Sequence, residues 1–316
     1  MVKKETKLGI LFGIVSIFLG GIQPVVARAR PVILDPHIFS GMSCLFQALI
    51  FIPIFLLEFR LKKKSVSPKV ATGKTLNRGS QLYLGKSKWV LFLIVGVVFS
   101  LALFLYYFGL DLAGAINGTL AQKSTAFFGL LFGYLILKER INKIQIISCC
   151  VLFFGMILAV TQGNFSLLQL NFGVVVILIC SAIWMVGHTF SKPYLSERVT
   201  TSSELLIMRN LISAAVLILT YLMMYGPSQM LIIFDPTNAM AYIFMGFIYG
   251  SNLFCWYQIM KYLDISIGTI IITPQIIVTA FFGSIFLGEA FTIFHLIGLI
   301  IIIASILVIG YSARKP

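Results

Sequence analysis

One lysine lies where a membrane protein can least easily hold a charge. Lys123 is about eleven residues into the apolar run at 112–137, which corresponds to roughly 16 Å of helix at 1.5 Å per residue. A lysine near the centre of a bilayer costs on the order of 2.5–3.5 kcal/mol, and its long side chain cannot easily reach water from that depth. Two interpretations are open. Lys123 faces a cavity and contacts a substrate or counter-charge, or it forms a structural hydrogen bond to helix carbonyls or glutamine side chains.

Neutral polar side chains flank this lysine. Helical spacing places Thr119 on the face of Lys123, with Gln122 beside it. A match 150 residues further along the chain supplies Thr269 and Thr273 at the corresponding positions. One cation among hydroxyl and amide groups suits a carboxylate or a phosphate, because the charge attracts an anion and the neutral donors orient it.

Aromatic side chains and a proline in other apolar runs form a second candidate group. The aromatic wall and its neighbouring amide would consist of Asn252, Trp256, Tyr257, Trp184 and Tyr107. These side chains either line a cavity or pack between helices. Pro274 removes a backbone donor and is predicted to leave the carbonyl of Ile270 without its usual partner, which would create a hinge, a polar patch or a simple kink.

Membrane-spanning helices must position these residues. Of the 316 residues, 59% are hydrophobic and 11% are charged, and the mean hydropathy is +1.01, whereas a soluble domain carries about 25% charged residues. Ten runs are long enough to cross a hydrocarbon core of about 30 Å. They lie near residues 8–27, 37–57, 88–109, 112–137, 143–161, 171–190, 203–224, 239–262, 265–287 and 291–312. The sequence therefore predicts an all-α polytopic membrane protein with ten transmembrane helices.

The distribution of Lys and Arg predicts the orientation. Of the 24 such residues, 20 fall on the side that holds both termini, and only Arg28 and Arg30 fall on the other side. Because positive charge accumulates in cytoplasmic loops, both termini are predicted to be cytoplasmic. Lys123 and Arg209 lie within spans, and Arg209 is close enough to the cytoplasmic end to be expected to snorkel and anchor its helix.

Nine of these cations lie in one polar segment at about 58–88. They separate two apolar runs and lack interleaved aromatic residues, so anionic membrane lipid is the expected partner and nucleic acid is not.

The remaining ionisable residues are expected to have structural roles. All ten acids fall in loops or near helix ends, so no carboxylate is predicted at mid-membrane to carry a proton. The three histidines, His37, His188 and His295, are expected in loops or at the interface. Glu139 and Glu289 each follow an apolar run and are expected to cap the next helix or to pair with neighbouring cations such as Lys138 and Arg140. Arg28 and Arg30 either gather anions at an outer vestibule or belong to a solvated loop near Asp35.

The two halves of the chain resemble each other. At an offset of 150 residues, Gly118-Thr119 aligns with Gly268-Thr269, Phe132-Gly133 aligns with Phe282-Gly283, and Glu139 aligns with Glu289. Five spans per unit make the second unit enter the membrane upside down, so the sequence predicts inverted repeats at 1–162 and 163–316, the architecture of secondary transporters.

The sequence resembles the drug/metabolite transporter superfamily of the EamA type. The resemblance is carried by Asn117–Arg140, by Gly155, by Ser181–Trp184 and by Gly268–Glu289 with its Thr273-Pro274 pair. It implies ten helices, inward termini and a central cavity lined by spans from both repeats, including the third, fourth, eighth and ninth. The chain departs from many relatives in the first span, where Gly20-Gly21 stands in place of a Trp-Gly pair.

These observations predict a secondary transporter, either an exporter or an exchanger, in the cytoplasmic membrane. It would move small polar metabolites with an acidic group, such as amino acids, by alternating access. The alternative is an efflux carrier for amphipathic organic molecules, in which the aromatic wall dominates. An integral-membrane enzyme for lipid-linked substrates is a remote alternative, because the sequence has no paired carboxylates and no nucleophile beside a base. No cofactor or metal is expected, since the five cysteines lack ligand spacing. The substrate, direction, coupling ion and oligomeric state stay open.

Overall fold

The computed structural model describes residues 2–64, 78–138, 141–164, 171–263 and 265–312, and within these ranges the chain contains helices and no strands. One 3-10 helix covers Pro227–Phe234. The α-helices are α1 Val2–Arg28, α2 Pro36–Lys64, α3 Arg78–Ala113, α4 Ala115–Gln122, α5 Thr125–Leu137, α6 Lys143–Val160, α7 Phe172–Ser196, α8 Ser202–Tyr225, α9 Pro236–Tyr262, α10 Ile265–Ile271, α11 Gln275–Leu287 and α12 Ile293–Ser312.

Two of the sequence predictions concern residues that lie partly outside these ranges. Residues 65–77 of the predicted polybasic segment and Glu139 with Arg140 lie outside the described ranges.

Eight described stretches are long and apolar enough to cross a membrane, and Ile293–Ile309 is a shorter apolar helix. The predicted continuous span at 112–137 is not one helix, because α4 ends at Gln122 and α5 begins at Thr125. The predicted span at 265–287 likewise contains a turn between α10 and α11.

Both helix breaks use the same tighter hydrogen bonding. The N–H of Lys123 donates to the carbonyl of Leu120 at 3.1 Å, and the N–H of Thr273 donates to the carbonyl of Ile270 at 3.1 Å. These bonds span three residues, as in a 3-10 turn. The prediction that Ile270 lacks a donor is therefore wrong, because the turn supplies Thr273. Only the second break contains a proline, so Pro274 cannot be the common cause.

Lys123 and Thr273 are separated by the 150 residues of the sequence repeat, and the helix contacts show the same relation. Helix α1 of the first half corresponds to α7 of the second, and it contacts α9 and α11. Helix α7 contacts α3 and α5, which are the counterparts of α9 and α11 in the first half. Helices α2 and α8 pack against each other, as do α6 and α12. Exchanging the two halves therefore exchanges the principal contacts, as a pseudo-two-fold relation requires.

Glu289 connects the two halves. Its carboxylate accepts hydrogen bonds from the N–H groups of Ala115 at 2.7 Å and Ile116 at 2.8 Å, both in the first turn of α4. A carboxylate there satisfies orphan N–H groups and complements the helix dipole. The prediction of a structural cap agrees with this contact, but the capped helix belongs to the other half and is not the next helix in sequence.

Asp111 is the ion-pair partner of Arg28 and Arg30. Arg30 forms a bidentate pair with Asp111, and Arg28 Nη1 lies 3.5 Å from the same carboxylate. Asp35, the partner expected for a solvated loop, instead accepts hydrogen bonds from the N–H groups of His37 and Ile38 at the start of α2. The two arginines are therefore already neutralised in part by a carboxylate of α3.

The α6–α12 crossing depends on two glycines. A Cβ atom on Gly298 would lie 2.5 Å from the carbonyl oxygen of Gly155 and 2.6 Å from the Cβ of Ala159. Small residues allow membrane helices to approach this closely, because backbone contact replaces side-chain packing.

Replacing Gly298 with leucine should lower the free energy of unfolding by about 1–3 kcal/mol, the usual cost of overpacking. Thermal unfolding of purified protein in detergent micelles measures the change. Ala304→Leu is the matched control, because Ala304 lies on the same helix and is exposed. Equal loss of stability in both variants would contradict the proposed role of the crossing.

Candidate functional site

A cavity lies between the two helix breaks. Its empty volume is about 670 Å³, open space at its mouth included. Residues from α1, the two broken helix pairs, α7 and α9 line it, so both halves contribute to one site. The lining consists of Ser16, Gly20, Gln23, Gln122, Lys123, Thr125, Trp184, Met185, His188, Tyr249, Asn252, Leu253, Trp256, Thr269, Ile272 and Gln275.

Lys123 lies at the first break and bonds to the second. Its ammonium donates to the carbonyl oxygen of Ile272 at 3.3 Å and to Gln275 Oε1 at 3.1 Å. The side chain is buried and also lines the cavity. The sequence left open a cavity-facing lysine or one bonded to a helix carbonyl and a glutamine, and the geometry combines the two. The carbonyl oxygen of Ile272 also accepts from the N–H of Gln275 at 3.2 Å, so Lys123 is its second donor.

Gln275 connects Lys123 to α1 through hydrogen bonds. Its Nε2 donates to the backbone oxygen of Ser16 at 2.9 Å. The Ser16 hydroxyl in turn donates to Asn252 Oδ1 at 2.6 Å, and Asn252 Nδ2 donates to Gln23 Oε1 at 3.3 Å. A continuous polar network therefore joins Lys123 to α1 and α9 along the cavity wall. Such buried networks fix side-chain orientations when their members are satisfied.

Gly20 makes room for this network. A Cβ on Gly20 would lie 2.1 Å from Gln275 Nε2 and 3.0 Å from Asn252 Nδ2. A Cβ on Gly21 would lie 2.8 Å from the carbonyl oxygen of Gln275. The Gly20-Gly21 pair, which is the departure noted in the first span, therefore allows α1 to approach α11 closely and leaves space for the amide that holds Lys123.

Six of the ten sequence-predicted site residues line the cavity, namely Gln122, Lys123, Trp184, Asn252, Trp256 and Thr269. The other four do not. Thr119 and Thr273 donate to carbonyls one turn back in their own helices, at 2.8 Å each. Tyr107 and Tyr257 are completely buried between helices. Thr119 was predicted from helical spacing, Thr273 from the repeat, and the two tyrosines from their residue type within apolar runs. None of these signals says which neighbour covers the side chain. Pro274 adjoins the cavity through Gln275 but is not part of its lining.

Sequence reasoning missed several lining residues, among them Ser16, Gln23, Tyr249 and Gln275. A polar side chain within an apolar run was the available signal for Gln275, which directly follows Pro274. His188 also lines the cavity and is buried in the middle of the bundle, so its expected loop or interfacial position is wrong. Its spacing of four residues from Trp184 on α7 would have indicated a shared face.

Arg209 does not snorkel. It is among the largest completely buried side chains of the described protein, and its guanidinium lies 4.0 Å from the centre of the Phe99 ring. Its Nη1 donates to the Tyr257 hydroxyl at 3.2 Å, and its Nε donates to Asn210 Oδ1 at 3.2 Å. Tertiary packing turns the side chain inward, because aromatic and amide groups from three helices surround it.

Several buried N–H groups near the cavity have no acceptor among the described residues. They include the indole Nε1 atoms of Trp184 and Trp256 and the Nε2 atom of Gln23, all on cavity-lining residues. An indole N–H can only donate. These donors are therefore left unsatisfied by the described residues, and they belong to side chains of the cavity wall.

No group of three His, Cys, Asp or Glu side chains in the described ranges is arranged to hold a metal ion.

An apolar helical bundle with a polar cavity between two related halves defines a multi-pass membrane protein. The chain belongs to the EamA-like transporter family, whose model matches residues 7–161 and again residues 171–311. The two matched ranges correspond to the two halves described above. The family is a family of transporters, so the substrate is a small molecule that crosses the membrane.

The fold is shared with solved structures, and one of them aligns over nearly the whole chain. It is described only as "Crystal structure of protein", it superposes with a TM-score of 0.66, and the alignment covers 97% of each chain at 17% identity. No curated protein sequence matches the chain.

The bond between Lys123 and Gln275 can be measured with a double-mutant cycle. Lys123→Met and Gln275→Leu should show a coupling energy of about 1.5–3 kcal/mol in unfolding, the range for hydrogen bonds to a charged group. Chemical unfolding in detergent gives the four free energies. The control cycle pairs Lys123→Met with Gln122→Leu, because adjacent helix residues do not face each other, and its coupling should be near zero. Similar coupling in both cycles would contradict the specific bond.

Proposed function

We propose that the protein is a secondary transporter that exports or exchanges small polar metabolites with an acidic group, amino acids among them, by alternating access. The observation that carries this proposal is Lys123, a buried cation on the wall of a cavity between the two halves. A lysine is costly in the middle of a membrane protein, and such residues mark substrate pathways. Its described partners are a carbonyl and an amide, both neutral, so its charge remains available to an anion.

The chemistry of the wall supports the same class of substrate. No Asp or Glu is among the described residues that line the cavity. The unpaired indole and amide donors add to the positive charge of Lys123 and require acceptors. A carboxylate has a negative charge that pairs with Lys123 and two oxygens that can accept hydrogen bonds from the unpaired donors.

The proposed topology has ten crossings. Helices α4 and α5 together form the fourth, and α10 and α11 together form the ninth. The repeats at 1–162 and 163–316 are inverted, both termini are cytoplasmic, and the host membrane is the cell's cytoplasmic membrane. The 20 to 2 distribution of Lys and Arg supports this orientation. The polybasic segment at about 58–88 would then lie against anionic lipid of the inner leaflet.

Alternating access is supported by the repeated contacts. Transporters with inverted repeats bind substrate at discontinuous helices near mid-membrane, and rocking of the repeats exposes the site to either side. Here the two interrupted helix pairs meet at Lys123 and Ile272, at the edge of the cavity. Movement of one pair relative to the other would break or remake this bond and would therefore change the environment of a bound anion.

Efflux of amphipathic organic molecules is the second candidate. It is favoured by the aromatic part of the wall, where Trp184, Tyr249 and Trp256 line the cavity. In that case the rings would supply most of the binding energy, and Lys123 would serve mainly to hold α4 against α11.

Replacing Lys123 with glutamine should lower the flux of an acidic substrate by more than about tenfold, because loss of a buried charged contact costs at least 2 kcal/mol. Uptake of labelled amino acids and organic acids into proteoliposomes measures the flux. Lys138→Gln is the matched control, because Lys138 is exposed at the end of α5, and its flux should equal that of the wild type. Unchanged flux in the Lys123 variant would overturn the proposal.

Truncation of an indole separates the two candidate functions. Trp256→Ala should abolish transport of amphipathic cations such as ethidium if the aromatic wall binds the substrate, because buried aromatic anchors contribute 2 kcal/mol or more, on the order of 30-fold in affinity. Trp256→Phe retains the ring surface and removes only the N–H donor. Ethidium flux that depends on Trp256 and not on Lys123 would favour the efflux carrier.

A further inference from the structure

A second buried cation lies behind the cavity wall. Arg209 is completely buried on α8, and its Nη2 atom has no hydrogen-bond partner among the described residues. The ion pairs of the described ranges join Asp111 to Arg28 and Arg30 and join Glu204 to Lys88, so none of them involves Arg209. A guanidinium keeps its charge in proteins, and a buried charge without a counter-ion is strongly destabilising.

Two cavity-lining residues separate Arg209 from the cavity. Tyr249 interacts electrostatically with the guanidinium and also lines the cavity. The His188 ring, also in the lining, packs against Phe99 with ring centres 4.9 Å apart, and the guanidinium lies over that same Phe99 ring. The positive charge is therefore about one side-chain layer from the cavity. In a medium of low dielectric constant its potential extends into that space.

Neutral polar groups hold the guanidinium in place. Asn210 accepts from Arg209 Nε, and its own Nδ2 donates to Gln47 Oε1 at 3.1 Å. The Tyr257 hydroxyl accepts from Nη1. These partners are neutral, so they orient the guanidinium without cancelling its charge.

We propose that the transported molecule is a dianion with two separated acidic groups, one bound by Lys123 and the other at the Tyr249 and His188 wall in front of Arg209. This inference rests on the proposed transport of acidic metabolites and narrows it. One cation lines the cavity, a second lies behind two of its lining residues, and no carboxylate is among the described residues of the lining. A single acidic group would leave one of these charges uncompensated, and the ammonium of a simple amino acid would find no carboxylate to pair with. Arg209 acts here as a positioning residue, through Tyr249 and the local potential.

The class of substrate is tested with the wild-type protein in proteoliposomes. Labelled succinate, a four-carbon dicarboxylate, is compared with butyrate of equal length, with alanine and with glycerol 3-phosphate. Succinate should be carried at least about tenfold faster than butyrate or alanine, because a second ionic contact of roughly 1.4 kcal/mol or more corresponds to that ratio. Glycerol 3-phosphate carries both of its charges on one acidic group, so its flux should also be lower than that of succinate. Glycerol 3-phosphate flux equal to or above succinate flux would overturn the requirement for two separated groups.

Substitutions of Arg209 then test its part in this preference. Arg209→Gln should reduce the ratio of succinate flux to butyrate flux about tenfold, whereas Arg209→Lys should retain the preference for succinate. Tyr249→Phe removes only the hydroxyl at the cavity wall and should reduce the succinate preference without affecting folding. Loss of both fluxes in equal proportion would assign Arg209 a purely structural role and overturn the inference.

The outcomes separate this inference from the proposal on which it rests. Flux of alanine or butyrate that depends on Lys123, with no flux of either dianion, would support the proposed transport of acidic metabolites. The same result would refute the proposal that the substrate is a dianion. Flux of ethidium alone, independent of Lys123, would refute both.

Discussion

A positive charge in the interior of a membrane protein must find partners within the protein or in a bound molecule, and much of this architecture follows from that constraint. Lys123 is the clearest case. Its ammonium requires acceptors, and within a continuous helix the carbonyls of a neighbouring span are already used. At the turn between α10 and α11 the carbonyl of Ile272 accepts from the ammonium as well as from the N–H of Gln275, and the Gln275 side chain adds an amide oxygen. The helix break in one half therefore supplies what the charge in the other half needs.

The same constraint explains why α1 carries glycines where it crosses α11. Gln275 can hold Lys123 only if its amide lies between the two helices, and a side chain at Gly20 would occupy that place. The backbone oxygen of Ser16 then accepts from this amide, and the Ser16 hydroxyl donates to Asn252. The glycines therefore serve two purposes. They let the two backbones approach closely, and their missing side chains leave the space that the polar network occupies.

Symmetry in the backbone produces an asymmetric site. The two breaks correspond across the repeat, and the helices around them make equivalent contacts. The side chains at the equivalent positions differ, however, because one break carries Lys123 and the other carries Thr273. Arg209 adds a second charge from α8 and has no cationic counterpart in the α2 network described here, where Gln47 faces Asn210. A ligand in the cavity therefore meets chemically different walls, as recognition of an oriented molecule requires.

The sequence by itself determined that the chain lies in a membrane, that it repeats, that it resembles the EamA type and that Lys123 is unusual. Composition, span length and the cost of a buried charge are local or additive properties, so they can be read without coordinates. The sequence also predicted six of the residues that line the cavity. Most of them are polar or large aromatic side chains within apolar runs, so their residue type alone distinguishes them.

Only the tertiary structure decided which partners those residues have. Glu289 was expected to cap a neighbouring helix and instead caps α4 in the other half. Arg209 was expected at the interface, His188 was expected in a loop or at the interface, and both are buried in the bundle. Gln275 was not identified at all. Each outcome depends on a contact between segments far apart in sequence, and helical spacing determines the face of a side chain but not the helix that this face meets.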